Sequence, residues 1–295
     1  MDVITSIGDM KAYARLARSG GKKLALVPTM GAVHGGHLSL VRRAKEECQA
    51  VVVSIFVNPT QFGPGEDEAR YPRDLAGDLV TLGPLGVDVV FSPSVVEMYP
   101  QGFETFVEPG QSAASLEGAC RPGHFRGVAT VVSKLLNIVR PDFAYFGQKD
   151  FQQTLVVRRL IKDLNLDVQV VVCPIVREPD GLAKSSRNAY LSAPDRKAAL
   201  VLHRSLRRAE ELFRAGGARA DRVLNEMRAV FSAEPRAKLE YAAVVEPVRL
   251  EPVEVITPGC VALVAARLGT TRLIDNVFLG ATEEGDRPRS MDGTE

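Results

Sequence analysis

The sequence has no tryptophan, four cysteines and four histidines. The cysteines form no C-x-x-C pair, so their spacing favours neither a zinc site nor a disulfide framework, and we expect reduced thiols in a cytoplasm. No apolar run approaches the ~20 residues that span a membrane. The charged N-terminal residues are not typical of a secretory signal. We therefore expect neither a membrane protein nor a disulfide-rich secreted one.

An excess of charge of either sign is also lacking. The chain has 37 basic and 36 acidic residues and a net charge of +1. No strong field therefore attracts nucleic acid or a membrane surface, and we expect neither as a partner. An anionic substrate must be bound by local groups. The apolar content of 45% and the charged content of 25% are typical of a globular enzyme.

Short runs rich in β-branched residues alternate with helical patterns through the first part of the chain. The runs are KLALVPTM, AVVVSIFV, VDVVFSP and DVQVVVCPIV, and each is typical of a strand that is buried on both faces. Strands that alternate with helices indicate βαβ units. The predicted fold class is α/β, a Rossmann-like doubly wound parallel sheet that binds ligands beyond the carboxyl ends of its strands.

The pattern changes near Pro179. Two long helices are predicted around Pro194–Ala215 and Ala218–Ala233, and three runs that alternate like antiparallel strands follow. These elements predict a smaller α+β domain. The predicted parts of the chain are a nucleotide-binding domain, this smaller domain and a disordered polar tail, at residues 1–178, 179–283 and 284–295 respectively.

The stretch LALVPTMGAVHGGHLSL joins a predicted strand to a predicted helix. A helix start presents unpaired N–H groups and the positive dipole end to an anion. The turn is neither a Walker loop nor a G-x-G-x-x-G fingerprint. His34 and His37 share a face of the helix. A capping or packing role is the plain alternative, and zinc is disfavoured because the HExxH spacing and a third ligand are missing. We interpret the pair as phosphate-contacting.

The letters HGGH match the H-x-G-H signature of the nucleotidylyltransferase superfamily, relatives of the class I aminoacyl-tRNA synthetases. The longer stretch VPTMGAVHGGHLSLVRRA resembles the pantothenate synthetase family, also called pantoate–β-alanine ligases. The resemblance implies that His34 and His37 are catalytic. It also implies that ATP binds along the turn, at Met30, Gly31, Ala32, Val33, His34, Gly35, Gly36 and His37.

The next two segments resemble this family as well. NPTQFGPGED resembles F-V-N-P-x-Q-F, although its composition alone predicts only a turn. The resemblance implies that Gln61 contacts pantoate and β-alanine, with Asn58 beside it. YPRDLAGDL resembles Y-P-R-T-x-x-x-D-L, which implies that Asp78 lies near magnesium; a solvated helix aspartate is the alternative. Asp74 stands where the family has threonine, and we assign it no role.

RPGHFRGV and FGQKDFQQ resemble R-P-x-H-F-x-G-V and F-G-x-K-D-x-Q-Q. The resemblance implies that Gln153 binds pantoate and that Arg121 and His124 line the substrate pocket. Lys149 is implied to be catalytic, and an ordinary surface lysine is the alternative. The implied ATP-binding residues of this segment are Gly147, Gln148, Lys149 and Asp150.

The segment VREPDGLAKSSRNAYLS has the composition of a linker, but its S-S-R resembles the family's counterpart of the synthetases' K-M-S-K-S loop. Hydroxyls and a guanidinium can hold a pyrophosphate leaving group. Lys184 stands where methionine or leucine is common, so its backbone rather than its side chain is expected to contact the nucleotide. The resemblance places the main chain of Val176 on adenine. The loop's ATP-binding residues are then Lys184, Ser185, Ser186 and Arg187.

Five motifs in family order imply the ATP-dependent condensation of pantoate with β-alanine through pantoyl adenylate, with release of AMP and pyrophosphate. They also imply Mg²⁺ as cofactor, a homodimer and a cytoplasmic location. A pantoate carboxylate is ionised at pH 7 and needs no general base, which agrees with the lack of a recognisable Ser-His-Asp set. Two alternatives are a simple nucleotidylyltransferase and a nucleotide-binding regulator without turnover. We expect His37 to act either as a proton donor or as a neutral hydrogen-bond donor. We also expect the smaller domain, which carries the S-S-R segment, to act as a lid that keeps water from the adenylate.

Overall fold

The structure is a computed structural model that describes residues 1–280. The tail predicted at 284–295, like residues 281–283 of the predicted lid, lies outside the described residues. The strands are β1 (Asp2–Ile4), β2 (Leu24–Thr29), β3 (Ala50–Ile55), β4 (Val89–Phe91), β5 (Phe143–Gly147), β6 (Gln169–Cys173), β7 (Ala237–Val245), β8 (Val261–Leu268) and β9 (Thr271–Phe278). The helices are α1 (Ile7–Ser19), α2 (Gly35–Glu47), α3 (Leu75–Leu82), α4 (Val95–Met98), α5 (Glu117–Cys120), α6 (His124–Val139), α7 (Phe151–Asp163), α8 (Ala193–Ala198), α9 (Leu200–Arg214) and α10 (Ala220–Ser232).

The first six strands form one parallel sheet in the order β1-β4-β3-β2-β5-β6. The chain leaves β2 toward β3 and leaves β5 toward β6, so the order reverses between the neighbours β2 and β5. In doubly wound sheets, ligands bind beyond the carboxyl ends of the strands at such a reversal. The predicted Rossmann-like sheet is confirmed.

Apolar side chains leave the central strands in both directions. Leu24, Leu26 and Val52 belong to one core cluster, whereas Ala25 and Val27 belong to another. Successive side chains of a strand point to opposite faces, so a strand that is apolar throughout requires a covering layer on each side. Helices α1, α6 and α7 contribute to the first layer, and α2 contributes to the second.

The last three strands form an antiparallel sheet in the order β7-β8-β9. Helices α9 and α10 pack on it around a second core that contains Leu206, Met227 and Val264. The predicted smaller α+β part is therefore confirmed as a fold class. One helix was predicted over Pro194–Ala215, and this was wrong in detail, because α8 and α9 are separate and meet at Ala199.

The chain divides into two compact units. The first consists of residues 1–147 and 151–173, and the second consists of residues 148–150 and everything described from Pro174 onward. The predicted boundary at residue 178 and the lid function stay predictions. Within residues 1–280, none of the helices has both the length and the apolar character that crossing a membrane requires.

Candidate active site

His37 is the third residue of α2, and His34 lies just before that helix, on the turn that connects β2 to α2 at the carboxyl edge of the first unit's sheet. This turn begins with two left-handed residues, Gly31 at φ +82° and Ala32 at φ +49°. Thr29 ties the start of the turn to the neighbouring strand: its hydroxyl donates to the Ser54 carbonyl at 2.7 Å and accepts from the Gly31 N–H at 3.2 Å. The sharp reversal therefore has a fixed backbone.

Asp78 holds the middle of the same turn. Its Oδ2 accepts from the Ala32 N–H at 3.0 Å, and its Oδ1 accepts from the Val33 N–H at 2.7 Å. The side chain is only 5% exposed, so the alternative of a solvated aspartate is wrong. Burial raises the pKa of this carboxyl, and the two backbone donors oppose that rise. A Cβ at Gly31 would come within 2.9 Å of Oδ2, which adds a steric demand for glycine to the demand of its φ.

Asp74, to which no role was assigned, caps the helix that carries Asp78. Its Oδ1 accepts from the Gly77 N–H at 3.0 Å at the start of α3. Asp residues are good N-caps because they satisfy an otherwise unpaired donor of the first turn. The cap fixes the first turn of α3, in which Asp78 lies.

His34 is the N-cap of α2, which confirms the capping role that was the alternative prediction for these histidines. Its Nδ1 accepts from the Gly36 N–H at 3.1 Å. A nitrogen that accepts has no proton, so this imidazole is neutral and carries its proton on Nε2. The ring of His37 stacks on it, with the centroids 4.1 Å apart and the planes 29° from parallel. Capping thus orients a donor as well as starting the helix.

The amide of Gln61 lies in a buried polar cluster near the turn. Its Nε2 donates to the sulfur of Met30 at 3.1 Å, and its Oε1 accepts from Asn58 Nδ2 at 3.0 Å. Asn58 is itself held by Gly127, whose carbonyl accepts from Nδ2, and by the Tyr99 hydroxyl, which donates to Oδ1 at 2.8 Å. The NPTQ segment is a turn, as composition predicted, but the turn fixes the direction of this amide.

Arg121 and His124 hold the backbone of Gln61. The Nδ1 of His124 donates to the Gln61 carbonyl at 2.9 Å, and its Nε2 accepts from Arg121 Nη1 at 3.1 Å. Arg121 also donates to both carboxylate oxygens of Glu66, from Nε to Oε1 at 2.7 Å and from Nη2 to Oε2 at 2.6 Å. Burial, assisted by the Arg121 charge, lowers the pKa of His124 to about 4, so the ring is neutral near pH 7. The predicted role of this pair as a pocket lining stays a prediction.

Gly127 was missed by the sequence analysis as a functional position. A Cβ there would overlap the Thr60 carbonyl and the backbone of Gln61. Helix α6 therefore packs directly on the Gln61 turn, and only glycine permits that approach. The signal in the sequence was the glycine inside an otherwise apolar helical pattern, which often marks close packing.

Two adjacent glutamines on α7 have different environments. Gln152 is buried, and its amide binds the Ser112 and Ser115 carbonyls and the Glu117 N–H, all within 3.0 Å. Gln153 is half-buried, and its side chain makes no hydrogen bond to any residue from 1 to 280. The Gln152 side chain is therefore held by hydrogen bonds within the protein, whereas the Gln153 amide is available to bind a substrate.

The second unit contains Lys149 and the S-S-R segment. Ser185 caps a short 3-10 helix over Ser186–Tyr190 and accepts from the Arg187 N–H at 3.3 Å. Asn188 donates to the Ala183 carbonyl at 3.0 Å, so the segment is ordered and not a bare linker. Lys149, Ser185 and Asn188 line one small pocket of this unit. The structure thus brings together the lysine and the serine of two separate motifs.

Val176 and Lys184 are paired at the base of the loop that precedes Ser185. The Lys184 N–H donates to the Val176 carbonyl at 2.9 Å, and the Lys184 ammonium lies 3.2 Å from a Glu178 oxygen. The side chain is thus engaged within the protein. The predicted contacts of both main chains with the nucleotide stay predictions, as do the ATP contacts predicted for Gly147, Gln148 and Asp150.

Among residues 1–280, no group of three or more His, Cys, Asp or Glu side chains converges as a cation site. All four cysteines are free thiols.

A parallel α/β sheet with a histidine-bearing turn at its topological switch point places this protein in the doubly wound class, whose ligands bind at that edge of the sheet. A sequence model of the pantoate-beta-alanine ligase family matches residues 2–278, and the chain belongs to that family. A pantothenate synthetase of Roseiflexus castenholzii is 58% identical over 281 residues, which are 95% of this chain and 100% of the relative. One from Thermotoga petrophila is 53% identical over 280 residues, which are 95% and 100% of the two chains.

Solved structures agree. The crystal structure of pantothenate synthetase from Thermus thermophilus matches with a TM-score of 0.90 and 47% identity, over 94% of this chain and 99% of that one. Pantoate-beta-alanine ligase from Francisella tularensis, complexed with beta-gamma ATP and beta-alanine, matches with a TM-score of 0.78 and 36% identity, over 94% and 97% of the two chains. The predicted fold class and ligase function are confirmed, and the roles of individual residues stay predictions.

Proposed function

We propose that this chain carries out the family's ligase reaction in two steps, with pantoyl adenylate as the intermediate. The observation that carries the proposal is the family match over residues 2–278, which includes the histidine turn and the S-S-R segment. Pantoate, ATP and β-alanine are the substrates. AMP, pyrophosphate and pantothenate are the products.

In the first step a pantoate carboxylate oxygen attacks the α-phosphorus of ATP, and the bond to pyrophosphate breaks. The nucleophile is already an anion, so the protein must orient it and stabilise the charge that develops on the phosphoryl oxygens and the leaving group. The neutral His34 presents its Nε2–H as a donor, and the N-terminus of α2 favours negative charge. We assign His37, which stacks on His34, to the same phosphates.

Pyrophosphate needs positive charge and donors of its own. We assign these to Lys149 and to Ser185, Ser186 and Arg187. Support comes from the pocket of the second unit, which Lys149 and Ser185 both line. An ammonium and hydroxyls at one place suit a phosphate chain because each gives a charge-assisted hydrogen bond. Backbone contacts from Met30–Gly36, Gly147–Asp150, Val176 and Lys184 complete the proposed ATP site.

Gln61 and Gln153 are assigned to the carboxylate and hydroxyl groups of the substrates. The Nε2 of Gln61 donates to a thioether sulfur, which is a weak acceptor. A substrate carboxylate or hydroxyl is a stronger partner, so exchange of the sulfur for substrate is favourable. Asn58, Arg121 and His124 keep the Gln61 turn in place while this exchange occurs.

In the second step the β-alanine amine attacks the acyl carbon of pantoyl adenylate. The C–N bond forms, and the bond from the acyl carbon to the AMP oxygen breaks, so AMP leaves with the electron pair. The amine must lose a proton. Because AMP is a good leaving group, orientation of the amine by Gln61 supplies most of what this step needs.

We propose Mg²⁺ as the ion that accompanies ATP, with Asp78 as the carboxylate that faces it. Each Asp78 oxygen accepts one backbone N–H and keeps a second lone-pair direction. Burial raises the pKa of Asp78, and a nearby cation would oppose that rise by favouring the ionised form. Carboxylate oxygen suits Mg²⁺, and the ion would neutralise phosphate charge.

A cytoplasmic location and a homodimer complete the proposal. The free state of Cys48, Cys120, Cys173 and Cys260 supports a reducing compartment. The homodimer is supported by the family resemblance.

The test is an assay with ATP, pantoate and β-alanine, in which AMP and pantothenate are both quantified. We expect AMP and pantothenate in equal amounts, and AMP turnover that requires β-alanine. A nucleotide-containing end product without free AMP would support the nucleotidylyltransferase alternative, and no turnover at all would support the regulator.

A further inference from the structure

Asn276, near the end of β9, binds the backbone of the Gln148–Lys149 segment. Its Nδ2 donates to the Gln148 carbonyl at 3.0 Å and to the Lys149 carbonyl at 3.1 Å. Its Oδ1 accepts from Gln148 Nε2 at 3.1 Å. The side chain is 2% exposed, so water does not compete for these bonds. All of these atoms belong to the second unit.

A buried ion pair fixes the strand end that presents Asn276. Asp275 is 2% exposed and accepts from both terminal nitrogens of Arg177, at 2.6 and 3.0 Å. The backbone N–H of Asn276 donates to the same carboxylate at 2.8 Å. A paired, bidentate arginine is the geometry that makes a buried carboxylate tolerable.

Arg177 also reaches the loop that leads to the S-S-R segment. Its Nη1 donates to the Gly181 carbonyl at 3.0 Å, and its backbone forms an antiparallel bridge with Ala183. Two residues further on stands Ser185, which lines a pocket together with Lys149 and Asp275. The network of Arg177, Asp275 and Asn276 therefore fixes two backbone segments. One leads to Ser185, and the other carries Lys149.

The Lys149 backbone lies in a single turn between β5, which ends at Gly147, and α7, which begins at Phe151. The 3-10 helix over Gln148–Asp150 is a single turn without a side-chain N-cap, and the nearest acid to the Lys149 ammonium is Asp150 at 3.8 Å. Such short turns are weakly held by their own hydrogen bonds. The two carbonyls that accept from Asn276 are therefore fixed points within the turn from which the lysine side chain departs.

We infer that Asn276, supported by the Arg177–Asp275 ion pair, is a positioning residue that sets where Lys149 meets the departing pyrophosphate. The inference rests on the proposed function, in which Lys149 serves adenylation. It has a selective consequence. Loss of Asn276 slows the formation of pantoyl adenylate and leaves its reaction with β-alanine largely unchanged, because pyrophosphate has left before the second step.

The experiment compares the two half-reactions in Asn276→Ala and in Asn276→Asp, which keeps the volume but replaces the donor by a carboxylate oxygen. Pyrophosphate release from ATP and pantoate reports the first, and pantothenate formed from supplied pantoyl adenylate and β-alanine reports the second. Adenylation should fall by about 10- to 100-fold, since a misplacement of ~1 Å has effects of that size. Aminolysis should change by less than about threefold. The control is Asn225→Ala on the exposed side of α10, which should match the wild type in both.

A double-mutant cycle with Lys149→Ala tests whether Asn276 affects adenylation through Lys149. If Asn276 acts through Lys149, the second substitution should add little once the first is present. Additive losses, or equal losses in both half-reactions, would overturn the inference in favour of a general structural role. Wild-type adenylation in both Asn276 variants would overturn it too. If the wild-type chain itself forms no adenylate, the proposed function fails instead.

Discussion

At the scale of single residues, the histidine turn depends on the buried carboxylate of Asp78. Asp78→Asn keeps the shape but has one acceptor oxygen, so it cannot satisfy both the Ala32 and the Val33 N–H. A buried donor left unpaired costs about 1–3 kcal/mol, and the turn should shift to recover a partner. We expect kcat/KM for ATP to fall by about 10- to 100-fold. Steady-state kinetics and urea unfolding measure the two effects.

The matched control for this variant is Asp74→Asn, one helical turn earlier. Asn caps helices as well as Asp does, so the Gly77 N–H keeps its acceptor and activity should stay near that of the wild type. Titration of Mg²⁺ separates the two roles of Asp78. A raised magnesium requirement in Asp78→Asn alone supports the metal proposal, and normal ATP use by that variant would contradict both roles.

The lowered pKa of His124 predicts that the folded protein loses stability as the pH falls below 6.5. Its pKa in the folded protein is about 4 against an ordinary value of 6.5, because burial and Arg121 disfavour the charged ring. The unfolded chain therefore takes up this proton first as the pH falls. The stabilisation by neutral His124 is complete above pH 6.5 and is lost progressively toward pH 4. A shift of this size corresponds to about 3 kcal/mol.

His124→Asn tests that response, since its amide can still donate to the Gln61 carbonyl but does not titrate. Between pH 7 and pH 4, urea unfolding should show a smaller loss of stability in the variant than in the wild type. If both proteins lose stability in parallel, protonation of His124 is not the cause of the acid sensitivity.

At the scale of elements, the contact of α6 with the Gln61 turn determines how the substrate amide is held. Gly127→Ala would push a methyl group into the Thr60 carbonyl and the Gln61 backbone. Overpacking of this kind costs about 1–3 kcal/mol. Because the displaced residue is assigned to pantoate and β-alanine, KM for these substrates should rise several-fold, while KM for ATP changes less.

Gly83→Ala is the control for this substitution. A Cβ at Gly83 meets no atom within 4 Å, and the residue has right-handed helical angles. Alanine there should leave the kinetics unchanged. An unaltered KM for pantoate in Gly127→Ala would show that α6 does not set the position of Gln61.

Elements with long apolar patterns could be predicted from the sequence, and short or amphipathic ones at the N-terminus could not. The strands β2 and β3 lie within the predicted runs, because almost complete burial gives them continuous apolar sequence. Strand β6 also lies within a predicted run, although it is an edge strand that is only partly buried. No element was predicted for α1, although Ser6 caps it and Asp9 follows three residues later, a sequence signature of a helix start. β1 is an edge strand of three residues, which is too short to show an alternation of apolar and polar residues.

At the scale of the whole molecule, the candidate site residues come from segments far apart in the chain. The motifs identified the side chains that are assigned to substrates, since those occur at recognisable spacings. The residues that hold them could not be predicted in this way. Gly127 meets Gln61 across 66 positions, and Asn276 meets Lys149 across 127. Such pairs are set by tertiary packing, and the local sequence around Asn276 has no feature that indicates its partner.

In the proposed mechanism the pantoate carboxylate is adenylated, and an oxygen label shows whether a carboxylate oxygen is transferred to AMP. Pantoate with ¹⁸O in its carboxylate is turned over with ATP and β-alanine, and the phosphate groups of the products are examined by mass spectrometry. The proposed mechanism predicts one ¹⁸O in each AMP, because the bond to the acyl carbon breaks in the second step. Unlabelled AMP, or label in inorganic phosphate with ADP as the nucleotide product, would contradict it.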